Sequence, residues 1–139
     1  MEKASHWFSE ITGGAFAGIT TQYDAGDRPV IAGQRKGTGP NLQVPVNGMS
    51  EGTRDQLFLA LRLAGLELHL ADHEPMPLVL DDLLVNFDDD RALRALTALR
   101  SFGERSQVLL FTHHAHLIEL AESAWGKASF HLHPLGNPQ

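Results

Sequence analysis

The chain has 139 residues, of which 42% are hydrophobic, and this is enough apolar material to bury the core of one modest domain. Its net charge of −6, with 11 scattered Lys and Arg residues, argues against a general polyanion-binding surface. The absence of cysteine excludes a disulfide scaffold and fits a reducing cytoplasm. The sequence has no apolar signal segment and no run near the roughly 18 apolar residues that span a bilayer. We therefore expect a cytoplasmic protein without a membrane partner.

The first part of the chain, residues 1–48, is rich in glycine and shows little helical periodicity. The end of a short helix is predicted at residues 6–8. Three strands are predicted after it, near residues 16–20, 30–32 and 42–44. The stretch from Gly33 to Pro40 predicts a mobile hairpin connection between the last two strands.

From residue 49 onwards the pattern alternates between helices and strands. Helices are predicted over residues 51–70, 89–101 and 115–124, and strands over 77–81, 107–111 and about 128–132. Such alternation favours a parallel sheet with right-handed crossovers. The fold class is therefore predicted as α/β, with a parallel sheet flanked by helices and preceded by a small antiparallel β segment. Apolar residues on more than one face of the first helix predict that it is deeply buried: Leu57, Phe58, Leu59, Leu61, Leu63, Leu66, Leu68 and Leu70.

Two apolar strands end in polar residues that could carry chemistry. The run Leu78–Leu80 stops at Asp81 and Asp82, and the run Val108–Phe111 stops at Thr112, His113 and His114. Ligands of open α/β sheets bind where such strands end. Two carboxylates there suit a site that holds Mg²⁺ on a phosphate and polarises a water molecule. The alternative is that the strand ending in Asp-Asp simply enters a turn.

A third polar segment, Met49–Thr53, opens the first long helix. Ser50 is a good N-cap, and Glu51 and Asp55 fall in the first turn, at the positive end of the helix dipole. Free backbone N–H groups beside a serine hydroxyl also make an anion-binding site. Capping alone is the alternative to this functional interpretation.

These segments, together with Asn86–Asp88, resemble in order and spacing the C-terminal half of an ABC-type ATPase head. The resemblance is to the SMC/RecF/RecN class, in particular the YhaN-like coiled-coil AAA ATPases, and it covers about residues 5–133. Four motifs carry it: Met49–Thr53 resembles the ABC signature, Leu78–Asp82 Walker B, Asn86–Asp88 the D-loop, and Thr112-His113 the switch histidine. It implies a P-loop-NTPase-like C-terminal half that works with ATP and Mg²⁺.

By this resemblance, the signature and the D-loop would act between the two heads of a head-to-head dimer. Ser50 and the amide of Gly52 would contact the γ-phosphate of ATP held by the other head, and Asp88 would connect the two active sites. Asp89 and Asp90 are interpreted instead as an acidic helix N-terminus. Glu51 departs from the family pattern, because many ABC proteins have glycine there. Its carboxylate would repel a triphosphate unless it points away.

The same resemblance assigns the hydrolytic roles to the two strand ends. Asp81 would hold Mg²⁺ through water, and Asp82 would polarise the attacking water. Many relatives have glutamate at that position, and the shorter Asp82 predicts slow turnover. His113 would contact the γ-phosphate or the attacking water, with His114 as the second choice.

One motif of such heads does not occur in the sequence, the Walker A loop G-x-x-x-x-G-K-[ST]. The nearest imitation, Gly33–Pro40, has its lysine before the glycine and a proline where the phosphate-binding helix should run. In the resembling family Walker A lies in an N-terminal lobe, beyond a long coiled coil. We therefore expect the C-terminal lobe alone: a truncated reading frame, a separated domain, or one half of a split ATPase. Its expected parts are a β-rich lead-in from the end of a coiled coil (1–48), the lobe with the motifs (49–133) and a loose tail (134–139).

Three interpretations of function follow. The first is half of an ATP-driven switch that needs an N-terminal Walker A lobe, in the same full-length protein or in a separate chain, and that is inactive alone. The resemblance, not the charge, implies a role on DNA in repair, recombination or chromosome maintenance. The second is a non-catalytic ATPase-like interaction domain or truncated remnant.

The third interpretation is a small metal-dependent hydrolase that uses Asp81, Asp82 and His113. His113, His114 and His116 together match no tight metal-ligand spacing, and one strand or helix would not aim all three at one point.

We also expect the lobe to self-associate when expressed alone, because its sheet would have an unpaired edge and an uncovered apolar face.

Overall fold

The computed structural model describes residues 1–39 and 42–136. In this range the chain forms four α-helices and five β-strands. The helices are α1 (Glu2–Ile11), α2 (Glu51–Asp72), α3 (Asp89–Gly103) and α4 (Ala115–Trp125). The strands are β1 (Phe16–Tyr23), β2 (Pro29–Arg35), β3 (Gln43–Pro45), β4 (Leu78–Asp81) and β5 (Val108–Phe111). Single turns of 3₁₀ helix lie at Val46–Gly48 and Lys127–Ser129.

The N-terminal strands form a three-stranded antiparallel sheet in the order β1-β2-β3. A tight turn joins β1 to β2, because the Asp24 carboxylate accepts hydrogen bonds from the backbone N–H groups of Gly26 (2.8 Å) and Arg28 (3.0 Å). The predicted strands are confirmed, although β1 and β2 are longer than expected. The predicted hairpin connection from Gly33 to Pro40 is wrong at its start, because Gly33–Arg35 pair with both neighbouring strands as the end of β2. Lys36–Gly39 form an irregular segment, and Pro40 lies outside the described residues.

The second sheet is the parallel pair β4-β5, in which Leu78 lies opposite Val108 and Asp81 opposite Phe111. Pairing continues past the strand, since the Asp82 N–H donates to the Phe111 carbonyl oxygen (3.0 Å). One face of the pair packs on α3 and the other is exposed. The α/β class, with a parallel sheet flanked by helices after a small antiparallel segment, is thereby confirmed.

The predicted strand at about 128–132 is wrong. Gly126, with φ of +79°, ends α4, and the chain then bonds back onto that helix end instead of pairing with a strand. The Ser129 N–H donates to the Gly126 carbonyl oxygen (3.2 Å), and the Ser129 hydroxyl donates to that of Trp125 (2.6 Å). His131 and His133 are consequently exposed residues of an irregular segment and do not alternate on a strand.

The core lies between α1, α2, α3 and the inner faces of the two sheets. In α1 the buried residues are Ala4, Trp7, Phe8 and Ile11, which is the i, i+3, i+4, i+7 spacing of one helix face. The prediction that α2 is deeply buried through more than one face is wrong in part. Leu57, Leu59 and Leu63 are fully buried, but Phe58 is 52% exposed and Leu68 is 61% exposed, because α1 covers only one side of the helix.

Two buried polar contacts fix the helices against each other. The Glu67 carboxylate on α2 accepts a hydrogen bond from Trp7 Nε1 (3.1 Å) on α1 and forms an ion pair with Arg105, just after α3. Gln56 Nε2 donates to the carbonyl oxygen of Ile11 (2.9 Å) at the end of α1. The two contacts hold both the first and the last third of α2 in place beside α1.

Across residues 1–39 and 42–136, no helix combines the length and the apolar character needed to cross a bilayer.

Candidate functional site

The carboxyl ends of β4 and β5 bring two predicted residues into direct contact. Because the strands are parallel and in register, Asp82 and His113 follow them at the same edge of the sheet. The Asp82 carboxylate lies 2.7 Å from His113 Nδ1. The Asp82 side chain is 36% exposed and that of His113 is 72% exposed, so the pair is open to a ligand on the histidine side.

Asp82 has an unusual backbone conformation, with φ of +46°. Left-handed backbone at a residue with a side chain costs roughly 1–2 kcal/mol, and Asp is among the residues that tolerate it best. The chain turns sharply here, directly after the strand. Asp81, on the strand itself, is exposed on the same face as Val79, whereas Asp82 is drawn towards His113.

His114, the second choice for the switch histidine, lies beside this pair. Its ring centroid lies 4.0 Å from that of His113, and its backbone N–H donates to the Thr112 hydroxyl (3.1 Å). Two atoms at this edge, Asp82 Oδ1 and His114 Nε2, are buried and have no hydrogen-bond partner among the described residues. One ligand atom from each of Asp82, His113 and His114 lies within 4.8 Å of the others.

Of the metal set considered from the sequence, Asp81 with Asp82 and His113, the structure brings Asp82 and His113 together with His114. Strand alternation turns Asp81 to the open face, and His114 takes the third place. His116 does not reach the cluster, because it starts α4 and lies 2.7 Å from the Asp89 carboxylate. That hydrogen bond and the charge of Asp89 raise the pKa of His116 above its ordinary value, with a smaller contribution from Glu119.

The segment that resembles the ABC signature begins α2. Ser50 is the N-cap, and its hydroxyl oxygen accepts from the Thr53 N–H (3.3 Å). Gly52 is buried, and neighbouring groups lie close to its Cα. A Cβ built there would lie 2.6 Å from an Arg91 guanidinium nitrogen and 3.3 Å from the Asn86 carbonyl oxygen. The start of α2 therefore packs directly on the predicted D-loop.

The residues of the predicted D-loop contact both α2 and α3. Asn86 Nδ2 donates to the Asp55 carboxylate (3.2 Å) on α2. Asp88 is the N-cap of α3 and accepts from the Arg91 N–H (2.9 Å), and its carboxylate also lies 3.4 Å from Arg91 Nε. The loop is thus fixed between the first turns of α2 and α3.

A cleft of about 510 Å³ opens beside Ser50 and Asp88 and is lined by three arginines, Arg35, Arg91 and Arg94. These arginines were not among the residues predicted for the site. Arg91 directly follows the acidic run and could have been a signal, but Arg35 comes from β2 and reaches the cleft only through the fold. A second cleft of about 600 Å³ lies between Asp82 and the first turns of α2, where Asp55, Phe58 and Arg62 line it.

Asp81 fits the Mg²⁺ that the resemblance implies. Its carboxylate is exposed and forms no hydrogen bond or ion pair within residues 1–39 and 42–136. A free carboxylate oxygen is the ligand type that Mg²⁺ accepts, and this ion is usually held by one or two carboxylates with waters and substrate phosphates.

No protein-family model matches the chain. Among curated proteins, it is similar to the uncharacterised protein YhaN of Bacillus subtilis (strain 168), with 30% identity over 125 residues. The match spans 89% of this chain but only 12% of YhaN.

Solved structures of SMC heads share the fold. An SMC ATPase, solved in work on ATP-driven dimerisation and DNA-stimulated activation, superposes with a TM-score of 0.60 at 19% identity, over 87% of this chain and 73% of that one. A Pyrococcus furiosus SMC head with an extended coiled coil, bound to the C-terminal domain of ScpA, gives 0.62 at 16% identity, over 86% of this chain and 29% of that one.

The SMC head of Thermotoga maritima gives a TM-score of 0.57 at 21% identity, over 86% of this chain and 41% of that one. The chain therefore has the fold of part of an SMC ATPase head and is similar in sequence to a part of YhaN, which confirms the resemblance that its motifs predicted.

Proposed function

We propose that this chain is the C-terminal half of an ATP-binding and ATP-hydrolysing SMC-like head. The observation that carries the proposal is the 2.7 Å contact between Asp82 and His113 at the carboxyl edge of the parallel strands. An acid and an imidazole held together at this edge are the groups that activation of water beside a phosphate requires. The SMC-head fold supports the same function.

In the proposed mechanism His113 and Asp82 act as a unit. When Nδ1–H donates to the carboxylate, Nε2 is left as an acceptor that faces the attacking water or, once protonated, as a donor to the γ-phosphate. Asp82 polarises the water, and its short side chain makes turnover slow. Asp81 would hold Mg²⁺ through water, and the ion would supply charge neutralisation at the nucleotide phosphates.

The signature acts on a different nucleotide, bound to a second head. Ser50 and the Gly52 amide meet its γ-phosphate at the positive end of the α2 dipole. The arginines of the 510 Å³ cleft lie beside Ser50 and offset the negative charge of Glu51, which is exposed in the first turn. Asp88 joins this cleft to α3 and would connect the two sites of the dimer.

The phosphate-binding loop must then come from an N-terminal Walker A lobe, on the same full-length protein or on a separate chain. Head-to-head dimerisation follows, because each signature serves the nucleotide of the other head. A role on DNA, in repair, recombination or chromosome maintenance, belongs to the same proposal. DNA added to the assembled head should raise its ATP turnover, and the absence of any response would remove DNA from the account.

The variant Asp82→Asn tests the mechanism. In the assembled head we expect ATP-dependent dimers that persist, with hydrolysis lost, because the amide cannot polarise water as a carboxylate does. The two readouts are dimer mass with ATP and phosphate release. Unchanged phosphate release would remove Asp82 from the mechanism and favour the non-catalytic interaction domain.

A further inference from the structure

The edge of the β4-β5 pair brings together three metal-ligating side chains, two of which the proposed hydrolysis also uses. We propose that Asp82, His113 and His114 form a binding site for a divalent transition-metal ion, with Zn²⁺ the best fit, in the absence of nucleotide. This binding does not rest on the proposed ATPase function, because it needs only the three side chains of this chain.

The three side chains lie close enough together to share one ion. One ligand atom from each residue lies within 4.8 Å of the other two. Zn²⁺ holds nitrogen at 2.0–2.1 Å and carboxylate oxygen at 2.0–2.2 Å, which puts tetrahedral ligand atoms roughly 3.3 Å apart. Small rotations of the three side chains would bring the atoms to that separation, with the Asp82–His113 contact widening from 2.7 Å.

Two of the candidate ligand atoms lack a hydrogen bond. Asp82 Oδ1 and His114 Nε2 are buried at the same edge and have no hydrogen-bond partner within the described parts of the chain. Buried polar atoms without a partner are rare in folded proteins, and each one calls for an explanation such as an ion. A cation at this point would take a lone pair from each atom and would satisfy both at once.

The chemical types of the three ligands favour a transition metal. Two imidazole nitrogens and one carboxylate oxygen suit Zn²⁺ and its first-row neighbours, whereas Mg²⁺ and Ca²⁺ take oxygen ligands. Three protein ligands leave a position open for water. Backbone hydrogen bonds fix the positions of two of the ligand residues. The His114 N–H donates to the Thr112 hydroxyl oxygen, and the Asp82 N–H donates to the Phe111 carbonyl oxygen.

This ion would hold Asp82 and His113 away from nucleotide. If the proposed function is correct, Zn²⁺ therefore inhibits the assembled head by occupying its hydrolytic pair, and ATP with Mg²⁺ competes with it. Only this consequence rests on the proposed function.

The test is a titration of the purified chain, without nucleotide, with Zn²⁺ by calorimetry and with Co²⁺ by visible absorption. We expect one saturable ion per chain, intense Co²⁺ bands typical of a four- or five-coordinate site, and no displacement by excess Mg²⁺. His114→Ala should weaken Zn²⁺ binding by more than about 100-fold, because loss of a ligand exceeds the 10- to 100-fold effect of losing an outer-shell partner.

Two controls separate this site from other histidines. His116→Ala removes a neighbouring imidazole that pairs with Asp89 and should leave the affinity unchanged. The double variant His69→Ala with His73→Ala removes a stacked pair at the end of α2, whose ring centroids lie 4.2 Å apart, and should also leave it unchanged. If His114→Ala does not fold by circular dichroism, Asp82→Asn replaces it, with the same expected loss.

The proposal is overturned if Zn²⁺ does not bind saturably, if the ligand variants bind it as tightly as the unaltered chain, or if binding is lost with the His69 and His73 variant. Phosphate release by the assembled head does not enter this result, so the two proposals fail separately.

Discussion

Asp82 shows how a single residue can serve geometry and chemistry together. Its left-handed backbone ends β4 abruptly, and the same turn brings its carboxylate to His113. A glycine would adopt this φ without cost but would carry no carboxylate. Asparagine also tolerates the left-handed region, so Asp82→Asn changes the chemistry of the position while leaving its backbone unstrained.

His116 gives a residue-scale prediction on pH. Because its pKa is raised in the folded chain by Asp89, the pair adds stability below the unfolded pKa, and this contribution is lost as pH rises through the folded pKa. An NMR titration should find the pKa of His116 above the ordinary value of about 6.5. Asp89→Asn should lower it, and Glu119→Gln should lower it less. A pKa that does not respond to Asp89→Asn would contradict the contact.

At the scale of elements, α2 is held by contacts that the sequence pattern could not show. The start of the helix, its N-cap and the neighbouring strands follow from local signals such as Ser50 and the apolar run before Asp81. The arginine-lined cleft and the third member of the histidine cluster depend on how distant segments meet, and no local signal encodes that. The missing strand near residue 130 has an apolar pattern, but Gly126 and Ser129 bond the chain back to α4 instead.

Glu67 gives a stability prediction at this scale. Its carboxylate is 6% exposed and accepts from the buried Trp7 indole, so Glu67→Ala leaves that donor unsatisfied. We expect the free energy of unfolding to fall by about 1–3 kcal/mol in urea denaturation, with Glu67→Gln costing less because its oxygen can still accept. The ion pair with Arg105 adds little, since the arginine is 57% exposed. Glu74→Gln, at an exposed site, is the control, and an equal loss there would contradict the account.

Two glycines of the same helix give a matched pair. Gly65 has nothing within 4 Å of an added Cβ, so Gly65→Ala should raise the free energy of unfolding by about 0.5–1 kcal/mol. Gly52→Ala should not bring this gain, because its Cβ would meet Arg91 and the Asn86 carbonyl oxygen. Thermal denaturation of both variants measures the difference. Equal gains would show that Gly52 is not in close contact with Arg91 and Asn86.

At the scale of the whole molecule, one surface lacks cover. On the outer face of the β4-β5 pair, Val79 is 56% exposed, Leu109 37% and Phe111 40%, beside strand edges that pair with no other described strand. An apolar face and open edges of this kind mark a surface that another protein segment covers. In the proposed head, the N-terminal lobe covers it.

The chain alone should therefore self-associate through this face. Sedimentation or light scattering should show dimers or larger species, and Leu109→Lys should shift them towards monomer by placing a charge at the centre of the face. Leu135→Lys is the control, because Leu135 is 77% exposed and belongs to no strand. A monomer at all concentrations would contradict the expectation.

The most direct measurement of the central claim is Mg-ATP hydrolysis by the chain alone and by the chain combined with a Walker A lobe. The account predicts no turnover by the chain alone, and turnover in the combination that Asp82→Asn abolishes. Turnover by the chain alone that is lost with Asp82→Asn would contradict it, because the chain would then bind its own phosphates and would not be half of a head.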